Sequence, residues 1–384
     1  MADQRRGSIR AADAQSVSFV ELFFDLVFVF AVTQLTVLTA QNLTPDGILR
    51  SILLGWLIWW AWTQFTWTLN PADTTHPVVR VITLAATGVA LVMAASVPRA
   101  FADDALWFAA PYVLVRALGL WLQIWVDRAR VDDGSHAGVV RWVVLSTIGL
   151  VLVLVGAVVD PTVRPWVWLL AILADLVAAA IAGRNTTWDL NPAHLSERHG
   201  LFVIIALGES LIVAGTAVAN DERSLPLAAA AFASILVASL LWWTYFGWLK
   251  DALEHLYAAA PPERNGPLAR DAFSLGHFPL IGGIVGFAVA IEEIGAHPAE
   301  PAPAAVLASL GIGVALFVAS SALSVRVCGG PVLVPRLAIL VVMLGALVLV
   351  APLQPVWPLV VVAAALLAIV VVEGSGPETR PSLG

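Results

Sequence analysis

The sequence predicts an all-α, polytopic transmembrane helix bundle of about twelve spans, built as two six-helix halves in a parallel repeat. Three observations predict it. Of 384 residues, 60% are hydrophobic and 12% charged, with mean hydropathy +0.88. A soluble domain is about half apolar and about a quarter charged, so no water-soluble shape of this size hides so much apolar surface. Apolar stretches of roughly the 20 residues that cross the hydrocarbon layer then recur along the whole chain. Finally, Trp59-Trp60 and Trp242-Trp243 are offset by 183 residues, and Asp25 and Glu209 by 184. An even number of spans per half gives both halves the same orientation.

In order, the predicted spans are 18–40, 48–69, 77–97, 105–126, 139–159 and 163–182, then 199–219, 225–249, 271–292, 303–324, 332–351 and 356–373. The expected organisation is a cytoplasmic tail (1–17), a first half (18–182), a cytoplasmic linker (183–198), a second half (199–373) and a second cytoplasmic tail (374–384). The first span follows Arg5, Arg6 and Arg10, as a signal peptide would. Its length, and Glu21 and Asp25 within it, read instead as an uncleaved span. With the N-terminus inside, 15 of the 20 basic residues fall on the cytoplasmic side. Arg50, Arg99, Arg164 and Arg223 fall outside, and Arg116 within a span. The positive-inside rule then puts both termini in the cytoplasm.

Charge and cysteine usage exclude several function classes. The net charge of −7 gives no basic footprint for nucleic acid. The single cysteine, Cys328, excludes an intramolecular disulfide and a Cys-based zinc cage. No Walker A loop, HExxH, GxSxG or TVGYG filter is present. No catalytic residues, metal site or cofactor are expected, and the chain is not read as an enzyme.

The informative residues are those that lipid rejects. An ionised group near the bilayer centre costs about 2.5–3.5 kcal/mol on insertion scales. Asp25, Arg116, Asp175 and Glu209 fall inside spans. In the first span Glu21 and Asp25 are four apart and share one helix face, which Thr36 continues. Glu21 lies nearer the cytoplasmic edge, where partial hydration is expected. The pair suits a proton or cation relay, or else carboxylates tied to the backbone or to Arg80. Arg116 is read as the counter-charge, paired with Glu209 or Asp25. Gly208 and Ser210 beside Glu209 suit close helix approach and an interhelical hydrogen bond. The segment 271–292 carries Pro279 and four glycines and is expected to kink or break. His277 within it is a relay candidate or a hydrogen-bonded packing residue. The relay candidates are therefore Glu21, Asp25, Glu209, Asp175 and His277.

Of the 16 tryptophans, Trp107, Trp142, Trp166, Trp168, Trp188 and Trp357 fall near predicted interfaces, as an aromatic belt would place them. Trp56, Trp59, Trp60, Trp62 and Trp67 crowd the second span, where packing is the expected role. The loop Asn191–His199 is rich in titratable groups and reads as a solvated cap on the seventh span.

Three blocks carry a family resemblance. Glu21-Leu22-Phe23-Phe24-Asp25-Leu26-Val27-Phe28 with Thr33-Gln34-Leu35, Glu197-Arg198-His199-Gly200-Leu201-Phe202 through Gly208-Glu209-Ser210, and Arg270-Asp271-Ala272-Phe273 through His277 and Pro279 to Glu292 resemble the bacterial low temperature requirement A proteins. The resemblance implies a multi-pass protein of the bacterial cytoplasmic membrane, in a family named for a cold-growth phenotype, without an established substrate. The pattern at 21–28 is also similar to the pore-lining first helix of six-plus-six-helix potassium channels, departing from it at Phe24, where those channels carry a serine. The expected activity is proton- or cation-linked transport of a small solute. A passive cation channel and a membrane scaffold or cold-adaptation factor are the alternatives. The bilayer and a proton or monovalent cation are the expected partners.

Overall fold

The computed structural model describes residues 9–11, 15–129, 136–183, 188–220 and 224–375. Among them every long element is a helix, and one isolated bridge pairs Arg10 with Ala72. The helices are α1 (Phe19–Ala40), α2 (Pro45–Leu69), α3 (Pro77–Ala95), α4 (Leu106–Arg128), α5 (His136–Val158), α6 (Arg164–Ala182) and α7 (Pro192–Asn220). They continue with α8 (Leu225–Phe246), α9 (Leu249–Ala258), α10 (Asn265–Leu268), α11 (Gly276–Ala296), α12 (Ala304–Val327), α13 (Val334–Val350) and α14 (Val356–Ser375). Ten helical stretches are long and apolar enough to cross a membrane. Outside that set, α2 spans 25 residues with five tryptophans and α13 spans 17. The chain is thus a polytopic, all-helical membrane protein. Exposed Val, Leu, Ile and Phe side chains are spread along nearly every long helix, as lipid-facing surfaces require.

The chain divides into two compact units. The first comprises Met1–Leu38, Pro45–Arg198 and Ala260–Arg270; the second comprises Thr39–Thr44, His199–Ala259 and Asp271–Gly384. In the first unit α5 packs on α6, α3 on α4, and α2 on both α4 and α6. The buried Trp168 of α6 donates its indole N–H to the Val153 carbonyl at 3.0 Å. Trp168 and Trp142 are therefore core residues, not members of the aromatic belt. Trp107, Trp166 and Trp357 are well exposed, as the belt requires. Arg164, also buried, caps the end of α5. Its Nε donates to the Gly156 carbonyl at 3.0 Å, an oxygen that the α5 C-terminus leaves open, and its Nη1 to the loop carbonyl of Ala102 at 2.6 Å.

In the second unit α11 packs along α12, and α14 lies against α8 and α13. At the α11–α12 crossing the backbones touch. A Cβ added at Gly283 would lie 2.4 Å from the Gly313 carbonyl oxygen, and one added at Gly313 2.8 Å from that of Gly283. Ser309 Oγ donates to the Gly286 carbonyl across the seam at 2.8 Å. Small residues and interhelical hydrogen bonds are what hold helices together without a hydrophobic drive. Gly282 and Gly208, by contrast, face open space, so the close approach expected at Gly208 is not made.

The segment around Pro279 departs from a regular helix, as expected, and the irregularity lies upstream of the proline. Residues Ala269–Leu275 form a π-helical turn before α11. Pro279 has no N–H, and its ring crowds the carbonyl four residues back. That residue is Leu275, the last of the π turn, so the wide turn relieves the clash.

Candidate functional site

The buried residues of α1 are Glu21, Phe24, Asp25, Phe28, Ala31, Val32, Leu35, Thr36 and Thr39. They follow steps of three and four, one stripe of a 3.6-residue period. Glu21 and Asp25 head that stripe and are both wholly inaccessible to solvent. The expectation that Glu21 is partly hydrated at the edge is thus overturned.

The local chain explains the burial of Glu21. Ser18 precedes the first turn of α1, and Glu21 is its third residue. Glu21 Oε2 accepts the Ser18 backbone N–H at 2.9 Å and its hydroxyl at 2.8 Å, the return half of a capping box. Its other oxygen, Oε1, accepts from Arg198 Nη1 at 2.6 Å and lies 3.3 Å from His194 Nε2.

Asp25, one turn on, uses a single oxygen. Oδ1 accepts from Arg198 Nη2 at 2.6 Å and from the Trp62 indole N–H at 2.7 Å. Oδ2 is buried and has no hydrogen-bond partner. The Arg198 guanidinium carbon stands 5.7 Å from the Trp62 ring centroid, within cation–π range.

Arg198 and His194 come from a segment that the sequence presents as a solvated loop. It is instead the beginning of α7. Asn191 accepts the His194 backbone N–H on Oδ1 at 3.3 Å, and Pro192 opens the helix, where its missing N–H costs nothing. Asn70, in the turn just after α2, then fixes this end. Its Oδ1 accepts the Asn191 N–H at 2.7 Å, and its Nδ2 donates to the Asn191 carbonyl at 3.0 Å. The same Nδ2 lies 3.4 Å from His194 Nδ1. His194 and Arg198, four apart on one face, are buried. Arg80, considered as a partner for the acids, instead donates to the Thr74 carbonyl at 3.1 Å.

Arg116 is also a correction. Its ion pair is with Asp175 of α6, bidentate at 3.3 Å per bond. Its guanidinium carbon lies 5.9 Å from the Tyr112 ring centroid and 6.0 Å from that of Trp142. Arg116 is thus the counter-charge of Asp175, and the α1 acids take Arg198.

In the second unit His277 Nδ1 faces the Ala272 carbonyl at 3.1 Å, and Nε2 lies 2.7 Å from Tyr245 Oη. In a neutral imidazole the carbonyl requires Nδ1–H, so Tyr245 donates to Nε2. Ser324 Oγ donates to the same carbonyl at 2.7 Å. The His199 ring lies 5.0 Å from that of His277. Glu209 is buried and within electrostatic reach of Glu292.

A third buried ion-paired group joins α13 to α14. Arg336 is bidentate to Glu373 at 2.7 Å per bond, and also donates to Ser321 Oγ at 2.9 Å and to the Thr244 carbonyl at 3.0 Å. Trp248 donates to the same carboxylate at 2.9 Å.

Fold and site define a class: a multi-span helical membrane protein with buried, ion-paired acids on its first helix. The sequence matches the family described as bacterial low temperature requirement A protein over residues 16–371. The chain belongs to that family. It is similar to the protein titled "Uncharacterized protein RA0937" of Rhizobium meliloti (strain 1021), at 30% identity over 295 residues, 74% of this chain and 71% of that protein. The comparison with solved structures finds no match.

Proposed function

We propose that this chain is a transporter-like protein of the bacterial cytoplasmic membrane that links movement of a small solute to a proton or monovalent cation. In this reading it has twelve spans in two parallel halves, α2 and α13 included, and both termini are cytoplasmic. It is not an enzyme. One observation carries the reading. Two fully buried carboxylates, Glu21 and Asp25, share one guanidinium, Arg198. Burying an uncompensated charge is expensive, and such intramembrane groups are kept for ion pathways and proton relays.

A channel with α1 lining an open pore is less well supported, because both α1 acids are sealed from solvent and ion-paired. The test is solute uptake and pH-jump flux in proteoliposomes. Asp25→Asn and Glu209→Gln should abolish coupled flux at normal expression. Wild-type flux in both variants refutes the relay. Ion current without solute dependence points to the channel, and no flux of any kind to a scaffold or cold-adaptation role.

A further inference from the structure

We propose that the cluster of α1, α2 and α7 holds one proton on Asp25 Oδ2, and that this proton, not a metal cation, is its exchangeable ion. The inference deepens the transporter reading and rests on it for its role in flux.

The charged and titratable groups at the cluster are Glu21 and Asp25 on α1, and His194, Glu197 and Arg198 on α7. The uncharged Trp62 comes from α2 and Asn70 from the turn after it. Glu197 lies at the margin, its Oε2 accepting the Val17 N–H at 3.1 Å. The inner set of Glu21, Asp25 and Arg198 sums to −1 when His194 is neutral, so one further positive charge closes it.

Three places could receive that charge. Glu21 is the poorest, because its two oxygens already take the Ser18 N–H, the Ser18 hydroxyl and Arg198, with His194 Nε2 beside them. His194 is blocked from the other side. The Asn70 amide orientation is fixed by its two bonds to Asn191, so Nδ2–H points at His194 Nδ1. That nitrogen must accept, which leaves the single ring proton on Nε2, 3.3 Å from Glu21 Oε1. Protonating Nδ1 would set N–H against N–H. Asp25 Oδ2 is the remaining place: buried, and the one carboxylate oxygen of the pair with no partner.

A metal cation does not suit the same atom. Hard cations need a shell of oxygens. Here the neighbours of Asp25 are donors, the Trp62 indole and the Arg198 guanidinium, both on the sister oxygen. A proton needs one lone pair and no shell. Loading forms an O–H bond on Oδ2 with a proton taken from hydronium, and unloading returns it to water.

The test is infrared spectroscopy of the full chain in lipid nanodiscs at neutral pH. The expected result is a carboxylic-acid C=O band that shifts with 13C-aspartate labelling and not with 13C-glutamate. Asp25→Asn should erase it, and Asp175→Asn should leave it. Should Asp25→Asn fail to fold, Asp25→Glu should transfer the label sensitivity from aspartate to glutamate. Hundredfold changes in sodium or potassium should not move the band. Absence of the band, a glutamate-labelled band in the wild type, or loss of the band on adding sodium or potassium overturns the proposal. A band present without flux refutes only the transporter reading, and flux without the band refutes only this assignment.

Discussion

Replacing Arg198 with methionine removes the cation that faces both α1 acids at 2.6 Å. At an effective dielectric of about 20 and about 4 Å between charge centres, the ionised Glu21 loses about 4 kcal/mol of attraction, and the protonated Asp25 loses the hydrogen bond from Nη2. The solvation cost that Arg198 itself pays for burial is recovered. The net expectation is the about 3–5 kcal/mol seen when one partner of a buried pair is removed. The assay is thermal or denaturant unfolding in detergent, followed by the triple variant Glu21→Gln, Asp25→Asn, Arg198→Met. The triple variant should recover most of the loss, because no charge is stranded. An Arg198→Met protein as stable as wild type, or a triple variant no better than the single one, refutes the electrostatic account.

Gly313→Leu should destabilise by about 1–3 kcal/mol, read by unfolding, because a Cβ there already meets the Gly283 carbonyl at 2.8 Å. Gly282→Leu on the open face should be near neutral. Asp175→Asn should cost about 3–5 kcal/mol by stranding Arg116, and the double variant with Arg116→Met should recover it in the same unfolding assay. Asp160 is exposed, and hydrogen bonds from the Thr162 hydroxyl and N–H hold its pKa below the usual carboxylate range. Its stabilising effect is present above the ordinary carboxylate pKa and lost as pH falls through the lowered one. Thr162→Ala should bring its carbonyl-13C NMR titration back toward the ordinary value.

How much of this was legible depends on the residue. The stripe of α1 was readable because Glu21, Asp25 and Thr36 keep helical spacing in an otherwise apolar run. Its partners were not, because His194 and Arg198 stand in a polar string that hydropathy assigns to water. A start signal did exist there: Asn191-Pro192 is an N-cap followed by a first-turn proline. Ser18-x-x-Glu21 likewise announces a capping box and would have tied Glu21 to a helix end. Arg336 and Glu373 are 37 residues apart on different helices. No local pattern links them, so only the folded chain brings them together. Arg116 inside a span demands a counter-charge, but spacing alone does not choose between acids on separate helices. Spacing does not place Trp142 and Trp168, because a tryptophan near a span end suits either a headgroup or a core, and only packing decides.

The bare seam between α11 and α12 has a mechanical consequence. Carbonyl oxygens and Cα atoms meet there without an intervening layer of side chains. Turning either rod by one residue brings Ile284 or Val314 into a gap that admits only hydrogen. The two rods are keyed together, and any rearrangement of their unit must carry them as a single plank.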